Sequence, residues 1–85
     1  MNNQKAHPVS IEVFTYVYQE VTPAMVRDVL EQKAQAEIAA KYAGQKVFKI
    51  EHKQVLIEPD ENRLQQGMDR PYRASLQTEL WVVQR

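Results

Sequence analysis

Cysteine is absent from the 85 residues. That excludes disulfides and every thiolate metal site. Two histidines, His7 and His52, are too few for a closed zinc centre without carboxylate help, so neither a metal nor any other cofactor is expected. Two glycines, Gly44 and Gly67, leave no glycine-rich loop to cradle a phosphate. Charge of either sign is not in excess: eleven basic side chains face eleven acidic ones. That balance removes the usual footprint of bulk nucleic-acid binding and of a membrane-seeking surface. No apolar run approaches the ~20 residues that cross a bilayer. Met1 to Pro8 hold no apolar core of the kind a secretion signal needs, and a cytoplasmic location is expected.

These absences constrain how so short a chain is stabilised. A chain of this length buries only about 60–65% of its unfolded surface, so its core is thin. Small domains compensate with disulfides, a metal or oligomerisation, and here only the last remains open. The expected layout is a flexible tail over residues 1–8 and one domain over residues 9–85, the tail ending at Pro8.

What is present reads as strands around one helix. Residues 10–21 are rich in β-branched and aromatic side chains, among them Ile11, Val13, Phe14, Tyr16, Val17 and Tyr18, and predict a strand apolar on both faces. Thr22 and Pro23 then spell a helix start, the hydroxyl as cap and the proline where its missing N–H is harmless. The helix is expected over 23–43, ended by Gly44. Its apolar stripe reads as Met25, Val26, Val29 and Leu30, with Ile38 and Tyr42 on another side and available for a secondary contact. Two more strands are expected over 46–58 and 72–84. The last alternates most cleanly, Tyr72, Ala74, Leu76, Thr78, Leu80 and Val82 against Arg73, Ser75, Gln77, Glu79, Trp81 and Val83. Between them, Pro59 to Pro71 reads either as one helical turn capped by Asp60 and ended at Gly67, or as a loop.

The order β-α-β-β predicts an α+β fold with a three-stranded mixed sheet and the helix on one face. A helical crossover within one sheet makes the first two strands run the same way, and such crossovers are right-handed. The regular, proline-free last strand is preferred in the middle, giving the order 1-3-2. This resembles half of a ferredoxin-like sheet in topology only, which implies no function. The helix-facing set is expected to be Ile11, Val13, Val17, Phe48, Ile50, Leu56, Leu76, Leu80 and Val82. The other face then carries Phe14, Tyr16, Tyr18, Val47, Val55, Ile57, Trp81 and Val83.

One helix does not cover both faces of such a sheet. The set Phe14, Tyr16, Tyr18, Trp81 and Val83 is therefore expected to meet a second copy or another protein, making the chain a non-enzymatic homodimeric interaction module. Two alternatives rest on other groupings. Tyr16, Tyr18 and Trp81 suit the wall of an aromatic pocket for a small molecule, with or without catalysis, although no catalytic set accompanies them. Arg63, Arg70, Tyr72 and Arg73 cluster around the 63–73 loop in a combination that holds phosphates and stacks a base. Zero net charge disfavours that nucleic-acid reading. His52, between Glu51 and Lys53, reads as a half-exposed strand residue, and Glu58, Asp60 and Glu61 lack the ligand spacing of a calcium loop.

Overall fold

The structure, a computed structural model, describes residues 5–83. The chain runs β1 (His7–Val17), α1 (Pro23–Lys41), β2 (Lys46–Pro59), α2 (Glu61–Gln65) and β3 (Tyr72–Val83). The strands form one sheet in the order β1-β3-β2, a half-ferredoxin-like arrangement with the last strand in the middle. Both pairings are antiparallel, as the expected order 1-3-2 with the first two strands running the same way requires. The crossover does leave β1 and β2 pointing the same way, but β3 separates them.

β1 begins earlier and ends earlier than its composition suggests. His7 and Pro8, assigned to the tail, open the strand opposite Val82 and Trp81. Proline is tolerated there because β1 is an edge strand, where a missing N–H need cost no ladder bond. The strand stops at Val17, and the Val21 N–H donates to the Tyr18 carbonyl at 3.2 Å as the chain turns. The expected tail residues 1–4 and the last expected strand residue, Gln84, lie outside the described residues.

Pro23 opens α1 as its fixed φ allows. Thr22 is extended before it (φ −98, ψ 161), but its hydroxyl makes no cap bond. Its carbonyl instead accepts from the Met25 N–H at 3.1 Å, and the exposed first turn is left to solvent. At the other end the Tyr42 N–H donates to the Ile38 carbonyl at 2.9 Å, and Gly44 takes the left-handed conformation, φ +80, that ends helices.

The helix meets the sheet along a single line, Val26, Leu30, Ala34 and Ile38, each four residues from the next. The wider stripe expected from Met25 and Val29 is not used, and both side chains are exposed. Ile38 lies in the core rather than on a second surface, and Tyr42, the next step of four, packs partly against it. These two residues are thus engaged by their own chain. Against that line β1 presents Ile11, Val13 and Val17, and β3 presents Ala74, Leu76, Thr78, Leu80 and Val82.

β2 corrects the expected faces most. Its partners run from Val47 opposite Val82 and Phe48 opposite Trp81 to Glu51 opposite Glu79 and His52 opposite Thr78. They continue with Val55 opposite Leu76 and Leu56 opposite Ser75. Two residues, Lys49 and Ile50, thus oppose Leu80 alone, and Lys53 and Gln54 oppose Gln77 alone. Each such bulge inserts one residue and flips the side-chain alternation. The first puts His52 on the helix face, and the second returns that face to Val55 and Ile57. Phe48 and Leu56, expected against the helix, point to the opposite face. Val47, Val55 and Ile57, expected on that face, pack with the core. Ile50, inside the first bulge, is half exposed beside Ile38 and Tyr42.

Candidate functional site

The sheet face opposite α1 meets the short α2 at one end, where Arg63 lies over Tyr16. β1 sends Phe14 and Tyr16 to it, opposite Ser75 and Arg73 of β3, and Tyr18 follows just beyond the strand. Trp81, Phe48 and Pro8 share a row at the other end, and Val83 lies next along β3. Phe14 is 42% exposed, Tyr18 47% and Leu56 55%, while Tyr16, Phe48, Trp81 and Val83 are half-buried.

These side chains do not form one continuous patch. Ser75, Gln77 and Glu79 are the outward residues of the central strand, and Ser10, Glu12 and Glu51 flank them. This polar belt separates Phe14, Tyr16, Tyr18 and Leu56 from Trp81, Phe48 and Val83. The six residue steps of β3 from Ser75 to Trp81 amount to roughly 20 Å at the usual rise per strand residue.

The aromatic end is built jointly with the connection between β2 and β3. Asp60 caps α2, its carboxylate accepting from the Arg63 N–H at 3.2 Å. Its own N–H donates to the Pro71 carbonyl at 2.8 Å and closes the loop. Gly67, φ +66, supplies the left-handed turn after the helix, so the capped-turn reading of this segment is the correct one. Arg63 Nε donates to the Arg70 carbonyl at 2.8 Å, which holds the guanidinium across the loop. It lies 3.7 Å from the centre of the Tyr16 ring. Arg70 lies 5.0 Å over Tyr18, and Arg73 4.3 Å over Phe14, reaching on to the Glu12 carboxylate at 3.3 Å. Phe14 and Tyr16 meet edge to face, 5.6 Å between centroids. Such cation–aromatic contacts contribute about 0.5–1 kcal/mol each at exposed sites.

The structure therefore merges two groups that the sequence kept apart. Arg63, Arg70 and Arg73 join Phe14, Tyr16 and Tyr18 on one face, whereas Tyr72 turns to the helix side and packs on the core. At the far end Lys49, with φ +55 in the first bulge, places its ammonium 5.5 Å from the Trp81 ring centre. The alternation of β2 assigned Phe48 to the helix face instead, because the bulges that shift its register carry no glycine to announce them.

The acidic side chains of the face have their own arrangement. Glu51 and Glu79 are direct cross-strand partners, a like-charge juxtaposition that destabilises a sheet. Lys53 moderates it. Its ammonium donates to the Glu51 carboxylate at 2.7 Å, and that hydrogen bond holds the Glu51 carboxyl below its ordinary pKa. The same bond raises the Lys53 pKa, with Glu79 adding to the effect.

Tyr16, Tyr18 and Trp81 do not converge on a common pocket. Tyr16 lines an open groove of about 620 Å³ with Phe14, Lys33 and Glu37. Tyr18 lines another of about 610 Å³ with Arg63, Met68 and Arg70, and Trp81 borders neither. On the helix side His52 Nδ1 lies 2.8 Å from the hydroxyl of the fully buried Thr78. Among the described residues no three His, Asp or Glu side chains gather as a metal site would require, and no helix is long and apolar enough to cross a membrane. Compared with protein-family models, curated proteins and solved structures, the chain matches none.

Proposed function

We propose that the protein is a non-enzymatic interaction module that works as a homodimer, with the sheet face opposite α1 as its contact surface. The observation that carries this reading is that face, an aromatic and arginine-rich surface that α1 does not cover and that the α2 segment meets at one end. Aromatic residues and Arg are the types enriched where protein interfaces concentrate their binding energy.

Surface area supports the same reading. The chain exposes 6155 Å² for 9.9 kDa. The scaling for folded monomers gives roughly 5,200 Å² at that mass. The excess, roughly 950 Å², is comparable to the ~800 Å² that each partner contributes to a standard interface. The radius of gyration, 15.9 Å, likewise exceeds the ~12 Å of a compact domain of this length. A second copy laid on the bare face supplies the missing thickness, since the chain measures only 59 × 22 × 15 Å. The lack of cysteine fits a reducing compartment, and the cytoplasm belongs to the same proposal.

The guanidiniums over Phe14, Tyr16 and Tyr18 are the feature that a single-stranded nucleic acid would use. Those ring faces are already occupied, however, and Glu12, Glu51, Glu58 and Glu79 share the surface. The dimer is therefore the better supported occupant.

Sedimentation equilibrium at micromolar concentration tests the proposal, with a mass twice that of the chain expected. Trp81→Ala is expected to weaken the dimer about 30-fold, as removal of an interface anchor worth ~2 kcal/mol does. A monomer at tens of micromolar overturns the proposal. Retention on heparin that falls with salt and is lost on Arg70→Ala plus Arg73→Ala points instead to nucleic acid. Quenching of Trp81 fluorescence by a small apolar ligand points to the pocket.

A further inference from the structure

We infer that the free edge of β1 takes up an extended, uncharged segment of a partner protein as a fourth strand, seated in the groove between β1 and α1. This partner is separate from the second copy placed on the sheet face, and neither contact requires the other.

In the order β1-β3-β2 both outer strands have an unpaired edge. Such an edge is a row of free N–H and C=O groups, which another extended chain completes. The two edges are not alike. β2 carries two bulges, a left-handed residue at Lys49 and three lysines, Lys46, Lys49 and Lys53. Arg27 of α1 donates to the Lys53 carbonyl at 3.1 Å and takes up one of its main-chain acceptors. Bulges, lysines and covered backbone are the devices that keep a strand edge from pairing. β1 has none of them beyond Pro8. From Val9 to Val17 it pairs residue for residue with β3, without a bulge, proline or lysine.

The free side of β1 is also shaped to receive a strand. Glu12, Val13, Phe14, Thr15 and Tyr16 line an open groove of about 620 Å³ together with Lys33, Ala36 and Glu37 of α1. Successive strand residues point to opposite faces, so five in a row border one space only along the flank of the strand. β3 fills one flank, and the groove therefore runs along the free one. Five residues of extended chain, roughly 17 Å, match that stretch.

Side-chain chemistry narrows the occupant. Toward α1 the added strand lies beside Val13 and Thr15 and next to Ala36, whose small, exposed side chain leaves room. On the other face it lies beside Phe14 and Tyr16. Such neighbours favour β-branched and aromatic partners. The charges bordering the groove cancel, Lys33 against Glu37 and Glu12 against Arg73 at 3.3 Å. An uncharged segment with β-branched and aromatic residues is the chemistry that fits. Main-chain hydrogen bonds hold such a strand, and alternate side chains select it.

The probe is a phage-displayed library of random dodecapeptides, selected on the full chain. Uncharged peptides rich in β-branched and aromatic residues are expected, binding at micromolar concentration. Methylating the backbone nitrogens of the best peptide one at a time should weaken it about tenfold at every second residue, where the N–H points at β1, and leave the interleaved residues within about twofold. Ala36→Trp fills the groove and should lower the affinity about tenfold, whereas Gln35→Trp, on the β2 side of α1, should not. The methylation scan needs no protein variant, so it decides the matter even if Ala36→Trp does not fold. A selection that yields no binder, a peptide indifferent to methylation, or one that binds folded Ala36→Trp unweakened overturns the inference. So does an Ala36→Trp chain that turns from dimer to monomer in sedimentation, since the edge then belongs to a second copy. An unaltered chain that is monomeric yet binds the peptide refutes the sheet-face dimer alone.

Discussion

His52 offers the most direct check on how β2 is built. Without the bulge at Lys49 and Ile50, its place in the alternation would put it on the outer face, in solvent. With the bulge it turns inward and partners the hydroxyl of Thr78, a residue with 0% exposure. His52→Ala therefore strands a buried hydroxyl, which costs about 1–3 kcal/mol. Loss of the half-buried ring adds about 1 kcal/mol. The sum, about 2–4 kcal/mol, is a large fraction of the roughly 4–13 kcal/mol expected for a chain of this length. Thr78→Val should cost less than about 1 kcal/mol. The shape is kept, the hydroxyl is gone, and His52, being half exposed, turns its nitrogen to water. The double variant should then be less destabilised than the sum of the two by about 1–2 kcal/mol. Urea unfolding at one fixed protein concentration measures all three, since a dimer makes apparent stability depend on concentration. If His52→Ala falls within 0.5 kcal/mol of the unaltered chain, the histidine is on the outer face and the double-bulge register is wrong.

Two further outcomes probe the same strand. Lys49 holds φ +55, a left-handed backbone that costs a side-chain-bearing residue about 1 kcal/mol and glycine almost nothing. Lys49→Gly and Lys49→Ala both lose the ammonium over Trp81, so glycine should come out about 1 kcal/mol more stable than alanine in urea unfolding, and equality of the two refutes the strained bulge. The Lys53 hydrogen bond holds Glu51 below its ordinary pKa and Lys53 above its own. The stability this pair adds is present at neutral pH, lost as pH falls through the lowered Glu51 value, and lost again as pH rises through the raised Lys53 value. Lys53→Met should move the Glu51 carboxyl upward toward the ordinary value in an NMR titration, and a carboxyl that stays put excludes Lys53 as the cause.

Much of the fold was legible because it is written in local chemistry. Pro23 at a helix start, Gly44 at its end, Asp60 and Gly67 around α2, and the unbroken alternation of β3 each act within a few residues of themselves. Such signals need no knowledge of what lies across the fold. The central position of β3 followed from the same regularity, since a strand paired on both sides has no place for a proline.

Other features were decided by contacts between distant segments. Which side of β2 meets the helix depends on two inserted residues, at Lys49–Ile50 and Lys53–Gln54, and these exist only relative to β3. The pattern read from β2 alone counts in twos and so assigns Phe48 and Leu56 to the wrong face. Ile38 joined the core because the helix lies on the sheet along an i, i+4 line, a matter of packing angle rather than of periodicity. The candidate surface was half visible. The aromatic residues of β1 and Trp81 were evident as a set, but the polar belt between them appears only once the strands are in register. The arginines that cap them come from α2, the loop after it and the start of β3, some 50 residues further along the chain than the rings they cover. By itself the sequence determined the elements, the start and stop of the helices and the middle strand, because those follow from backbone preferences acting locally. Tertiary structure alone decided which faces meet and which charges share a surface, because those depend on registers that no single segment encodes.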